Sequence, residues 1–157
     1  MPEKLVFAGS YITRAEMKIN RERIITLIGE TQYALGQLCR YKNEDSDLLA
    51  KDPEKIGNIK YQLIVLIEAC IDMCTHIVAK SYSTAPESYS HCFQLLQENN
   101  LIEKQLANKL SEMAKFRNLL VHLYWKVDNK RVIEIAQNEL GSFKEFIYSI
   151  DRTINSK

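Results

Sequence analysis

The chain has 157 residues, 46% of them hydrophobic and 26% charged, with five glycines and three prolines. That length suits one domain able to remove roughly 70% of its unfolded surface from water without disulfide or metal staples, and so few breakers argue against many short strands joined by turns. Twenty-one basic residues against twenty acidic ones give a formal net charge of +1, which excludes a uniformly basic nucleic-acid binder and leaves only a local patch for such a partner.

In chain order, Leu5-Val6-Phe7-Ala8 reads as a short extended piece or, with the rest of residues 1–12, a loose arm. From about Thr13 a helical pattern takes hold, and Thr13 with Glu16 forms a capping-box pattern. Its apolar stripe is Met17, Ile24, Leu27, Ile28, Thr31, Ala34, Leu35 and Leu38, in steps of three, four and seven. Tyr41 to Asp52 is a polar loop, and Pro53 sits where a helix start tolerates it. The second helix, 53–80, is apolar almost all round (Ile56, Ile59, Leu63, Ile64, Leu66, Ile67, Cys70, Ile71, Cys74, Ile77, Val78) and must be covered on most sides.

Ser81 to Glu87 is a loop containing Pro86, and Ser88 caps a short helix through Gln97 with Phe93, Leu95 and Leu96 as its apolar residues. Asn99-Asn100 breaks it. A fourth helix, 102–125, carries Leu106, Leu110, Met113, Phe116, Leu120 and Leu123; Asp128-Asn129 is a turn. A fifth, 131–154, carries Val132, Ile135, Leu140, Phe143, Ile147 and Ile150, with Gly141 as its weak point. No segment reads as a sheet. The expected fold is all-α: a single domain forming an antiparallel bundle of about five helices.

The cysteines Cys39, Cys70, Cys74 and Cys92 contain no CxxC pair, so neither a disulfide framework nor a thiolate zinc site is expected. Met1-Pro2-Glu3-Lys4 lacks an export signal's pattern. The most apolar stretch, Leu63 to Val78, is interrupted by Glu68, Asp72 and His76, which would be costly in lipid. A cytoplasmic protein without a membrane partner is the expectation.

Chemistry concentrates in Phe116-Arg117-Asn118-Leu119-Leu120-Val121-His122-Leu123-Tyr124-Trp125. Histidine titrates near neutrality, with an ordinary pKa of about 6.5, and only His76, His91 and His122 are present. On a helix Arg117 and Tyr124 fall within about 20° of each other and Asn118 and His122 within about 40°, whereas Arg117 and His122 are about 140° apart. A guanidinium that wraps around, a distorted helix or a second copy of the chain completing the site would resolve that conflict; the last is favoured, since it would also gather Lys115, Lys126, Lys130 and Arg131 into the basic patch that net charge does not show. Such a set supports RNA cleavage by the 2′-hydroxyl: a histidine moves the proton and an arginine fork holds the phosphate, with no metal required. The plainer alternative is an ion-paired helix arginine and a partly buried, satisfied histidine.

Glu68, Asp72 and His76, spaced i, i+4 and i+8 along the second helix, are either polar groups orienting Arg117 or His122 or, less well supported by their pattern, a metal site. Cys70 and Cys74 read as core, His91 as solvated, and Trp125 as a base-stacking surface or an end cap of the bundle.

The run Arg117-Asn118-Leu119-Leu120-Val121-His122-Leu123-Tyr124, an Arg-x4-His-x-Tyr pattern, resembles the signature of HepT-type HEPN toxins. Glu68-Ala69-Cys70-Ile71-Asp72 in a central apolar helix, Ser88-Tyr89 opening a short one, and Leu101-Ile102 leading into Leu110, Met113 and Phe116-Arg117-Asn118 extend the likeness over about residues 55 to 150. The resemblance implies a homodimeric α-helical bundle with the motif lining the dimer cleft. It implies Arg117 and His122 as ribonuclease residues, Asn118 and Asp72 in support, and no cofactor. It further implies that Tyr124 is modified with AMP units by a minimal nucleotidyltransferase (MNT) antitoxin, adding bulk and negative charge where RNA phosphate should sit. Competing readings are a non-catalytic helical partner that binds or regulates a nucleotidyltransferase and a bundle metalloprotein built on Glu68, Asp72 and His76.

Overall fold

In the computed structural model, which describes residues 4–7, 10–13, 19–81 and 85–155, a hairpin of β1 (Lys4–Phe7) and β2 (Ser10–Thr13) precedes seven helices. These are α1 (Arg21–Cys39), α2 (Ser46–Ala50), α3 (Pro53–Ser81), α4 (Tyr89–Glu98), α5 (Lys104–His122), α6 (Asn129–Asn138) and α7 (Gly141–Asn155), with a 3-10 turn at Tyr124–Lys126. The two strands pair antiparallel, Lys4 opposite Thr13 and Phe7 opposite Ser10; Leu5-Val6-Phe7 is extended, as one of the two readings of that segment has it, but its pairing into a sheet was not expected. Ala8 lies outside the described residues.

The core forms around α3, which packs against every other described helix. Length and composition alone would let α3 cross a membrane, but most of its apolar window is buried inside the domain. Leu63, Leu66, Met73, Cys74, Ile77 and Val78 are fully buried, and truncating any of the larger ones to alanine would cost about 2–5 kcal/mol.

The α1 stripe from Ile24 to Leu38 is buried as its periodicity predicts; Met17 and Glu16 lie outside the described residues. The helix starts later than expected. Thr13 ends β2 rather than capping a helix, and Asn20 is the cap, its side chain accepting from the Arg23 N–H.

Three boundaries differ from the sequence reading. The polar run 41–52 contains α2, capped by the Asp45 side chain and anchored by buried Leu49. The fourth helix stops at His122 because Leu123 leaves the helical region (φ −131°, ψ 40°). The fifth is two helices that break at Glu139 and Leu140, next to the expected weak point at Gly141. The Ser88 cap of α4 is as expected, accepting from His91 N–H. The helix ends with Asn100 at φ 61°, and Leu101 N–H and Asn100 N–H bond back to the Leu96 and Gln97 carbonyls, a Schellman closure using asparagine in place of glycine.

Candidate active site

Arg117 leaves α5 toward α3 and α4. Its Nη2 and Nε both donate to Glu68 Oε1, at 2.7 and 3.2 Å, and Nη1 donates to Asn118 Oδ1 at 3.2 Å. The Tyr89 ring, first residue of α4, lies with its centroid 5.7 Å from the guanidinium carbon, within reach of a cation–π contact. A guanidinium has five N–H donors; among the described residues three find acceptors and two do not. Glu68, Ile71, Asp72, Tyr89 and Arg117 line a small cleft of about 140 Å³.

Asp72 sits one helical turn beyond Glu68, at the rim of this cleft. Burial raises its carboxyl above the usual range; Arg23 opposes this, Glu68 adds to it and Arg117 opposes it. The carboxylate that grips Arg117 is therefore Glu68 rather than Asp72. Its signal in the sequence was the Glu68-Asp72-His76 stripe of polar groups on a largely apolar helix, of which Glu68 is the one that meets the cation. Nothing in the sequence marked Tyr89 as the ring under Arg117.

His76, the last member of the Glu68-Asp72-His76 stripe, serves the fold instead: its Nε2 accepts from the Asn20 backbone N–H at 2.9 Å. Among the described residues no cluster of three His, Cys, Asp or Glu is placed to hold a metal ion. His91 is half-buried rather than solvated, its Nδ1 accepting from Glu87 N–H.

His122 closes α5 and is exposed. Because α5 stays helical to that point, the angular separation from Arg117 persists, and the two side chains do not meet within one chain. Leu119 (48% exposed), Val121, Leu123 and Trp125 (75% exposed) surround His122 in sequence and leave an apolar surface at the end of α5. Trp125 thus does not cap the bundle.

Tyr124 does not continue α5, so the helical angle relating it to Arg117 does not apply. The chain turns back, and Tyr124 lies against the first turns of α3. Lys60 Nζ donates to the Tyr124 carbonyl at 3.1 Å and sits 4.3 Å from its ring centroid. Lys60 is buried, which lowers its ammonium pKa below the usual range. A Cβ on Gly57 would come 3.7 Å from the Tyr124 hydroxyl, an ordinary contact, so the phenol lies beside Gly57 with room for a methyl group between them. Of the basic residues expected to form a patch, Arg131 is tied to Glu139 and Glu134 and Lys115 to Glu112.

Known proteins of the same build share this arrangement of helices. The mRNA nuclease HepT of Shewanella oneidensis is 38% identical over 80 residues, which cover 51% of this chain and 60% of that nuclease's length. A solved structure of a tri-AMPylated Shewanella oneidensis HEPN toxin in complex with an MNT antitoxin matches with a TM-score of 0.76 and 28% identity, covering 83% of this chain and 98% of the toxin. A toxin–antitoxin structure with AMP-PNP matches at TM-score 0.75 and 28% identity over the same shares. Residues 22–150 match the family described as ribonuclease HepT-like, and the chain belongs to that family.

Proposed function

We propose that this chain is the toxin of a HepT/MNT-type toxin–antitoxin pair: a cytoplasmic, single-domain endoribonuclease that acts as a homodimer and needs no metal. Family membership supports an endoribonuclease of this general type. The toxin–antitoxin relatives, one of them tri-AMPylated, support neutralisation by AMP addition. The observation that carries the residue assignment is the Arg117 guanidinium, held edge-on by Glu68 with two N–H donors unspent among the described residues.

In this reading the unspent donors of Arg117 bind the scissile phosphate and stabilise the charge that builds on it. His122 of a second copy moves the proton between the attacking 2′-hydroxyl and the leaving 5′-oxygen, giving a 2′,3′-cyclic phosphate and a free 5′-hydroxyl. Asn118 holds the guanidinium from its other side, and Asp72 faces the cleft in support. The exposed apolar end of α5 is the surface that pairs the two copies, removing Leu119, Leu123 and Trp125 from water.

Tyr124 is the modification site for the MNT antitoxin. Its hydroxyl is presented over Gly57 and its backbone is fixed by Lys60, one short turn after His122. Nucleotides attached there bring phosphate charge to the end of α5, where an RNA phosphate would otherwise bind.

The test is growth of a host expressing the chain alone beside Arg117→Ala and His122→Ala at matched soluble levels, with cleavage of total RNA measured in the presence of a chelator. Arrest and cleavage by the parent, lost in either variant, is the expected result. Arrest that persists in both variants contradicts the assigned roles, and harmless expression of all three points to a regulatory partner of a nucleotidyltransferase.

A further inference from the structure

A feature outside the Arg117 corner concerns sulfur. Cys74 lies on α3 and Cys92 on α4, and their Sγ atoms are 2.7 Å apart in the buried seam between the two helices. Carbon atoms in van der Waals contact ordinarily stay about 3.5–4.0 Å apart, and sulfur is larger than carbon. A disulfide holds its sulfurs near 2.05 Å, so about 0.7 Å of approach separates the two thiols from a covalent bond. Neither thiol has another cysteine partner: Cys39 is exposed, and Cys70 sits one turn before Cys74 on the same helix, fully buried, with its thiol pushed up by burial.

We propose that Cys74 and Cys92 are a redox pair that closes to an intrachain disulfide when the protein meets a peroxide. The Cys92 thiolate attacks one peroxide oxygen, breaking the O–O bond; hydrogen peroxide leaves a sulfenic acid on Cys92 and releases hydroxide. The Cys74 sulfur then attacks the sulfenic sulfur. The S–S bond forms, the S–O bond breaks, and the oxygen departs as water with the Cys74 proton. In sum two thiols lose two electrons and two protons, and one hydrogen peroxide becomes two waters.

The order of attack follows from the surroundings. The hydrogen bond from Cys74 draws the Cys92 thiol below its ordinary value, against burial and with help from Thr75, whose Oγ1 is 3.9 Å away. Burial keeps Cys74 protonated until the second step. Both sulfurs are covered in the closed fold, so oxidation proceeds through transient opening of α4, a helix of ten residues that a small oxidant can enter beneath.

The bridge would join two helices that already meet at Arg117. Cys92 is three residues from Tyr89, which lies under the guanidinium, and Cys74 is on the helix that supplies Glu68. Oxidation therefore locks the α3–α4 seam behind that corner, whatever reaction the corner performs.

The experiment uses the full chain with Cys39→Ser, which removes the exposed thiol and leaves three. The folded protein is treated with hydrogen peroxide, quenched, alkylated under denaturing conditions and mapped by mass spectrometry. The expected result is loss of two alkylation sites, a mass lower by two hydrogens, and a crosslinked peptide whose fragmentation assigns Cys74 and Cys92; dithiothreitol restores all three thiols. Three alkylated thiols after treatment, a link through Cys70, or a sulfinic acid on Cys92 with no bridge would each overturn the proposal. The peptide map of the Cys39→Ser protein decides the matter alone, so it does not depend on whether a further Cys92→Ser variant folds.

Discussion

Among the described residues, Arg131 and Arg117 both meet carboxylates, and they do so differently. Arg131, on α6, grips Glu139 with both terminal nitrogens and reaches Glu134 at 3.2 Å. The Glu139 hydrogen bond, foremost among these contacts, raises its pKa further. It lines the larger cleft, about 520 Å³, between α5, α6 and α7, yet its charge is already neutralised by two partners. Arg117 is better buried, its side chain 18% exposed against 42% for Arg131, and meets one oxygen of one carboxylate beside a cleft of about 140 Å³. Cleft size is therefore a poor guide here. An arginine positioned by a neighbour but not saturated by it is equipped to take a phosphate, and one saturated by two carboxylates is equipped to hold two helices together.

The largest expected effect separates these two arginines. Arg117→Ala and His122→Ala each lower RNA cleavage by roughly a hundredfold or more, while Arg131→Ala leaves cleavage within about twofold and costs about 1 kcal/mol in urea unfolding. Equal losses of activity from Arg117→Ala and Arg131→Ala would erase the contrast. Next in size is Tyr124→Phe, which removes the oxygen to which AMP would be joined. Mass spectrometry after incubation with the nucleotidyltransferase, ATP and magnesium should show the parent modified and the variant unmodified, with cleavage by the variant retained.

Glu68→Gln keeps the shape but weakens the grip on Arg117, and cleavage should fall about tenfold. A rise in activity would show instead that Glu68 competes with phosphate for the guanidinium. The smallest effect lies at His76. Burial, with Arg23 and Lys80 adding, holds its imidazole below the ordinary value, so the unfolded chain takes up a proton more readily than the folded one. This contribution is fully present above the ordinary pKa of about 6.5 and declines as pH falls through the depressed folded value. His76→Ala should remove that acid-side slope and, by leaving the Asn20 N–H without its acceptor, cost about 1 kcal/mol at neutral pH; melting curves across pH would read both.

Much of the fold was legible because burial writes a period into sequence. The α1 stripe from Ile24 to Leu38, the all-round apolarity of α3 and the Ser88 cap of α4 each follow from local pattern. The misplaced boundaries were set from a distance. Leu123, Tyr124 and Trp125 continue an apolar pattern, and what accompanies the end of α5 is the grip of Lys60, on another helix, on Tyr124. The start of α1 depends on Asn20 and on His76, fifty-six positions away. A five-residue helix anchored by Leu49 alone, and two four-residue strands, are too short to show a period. For the site, residue types were readable in the Arg117–Tyr124 run, but the choice of Glu68 over Asp72 as partner depends on how α3 and α5 are rotated against each other.

In the proposed site, Arg117 of one copy works with His122 of another. Mixing the inactive Arg117→Ala and His122→Ala proteins under exchange conditions tests it most directly, since a mixed dimer carries one site with both residues intact. With random assortment, half the dimers are mixed and one of their two sites works, so recovery of about one quarter of parental cleavage is predicted. Mixed dimers that form, as shown by differently tagged copies, and yet cleave no RNA would contradict the account.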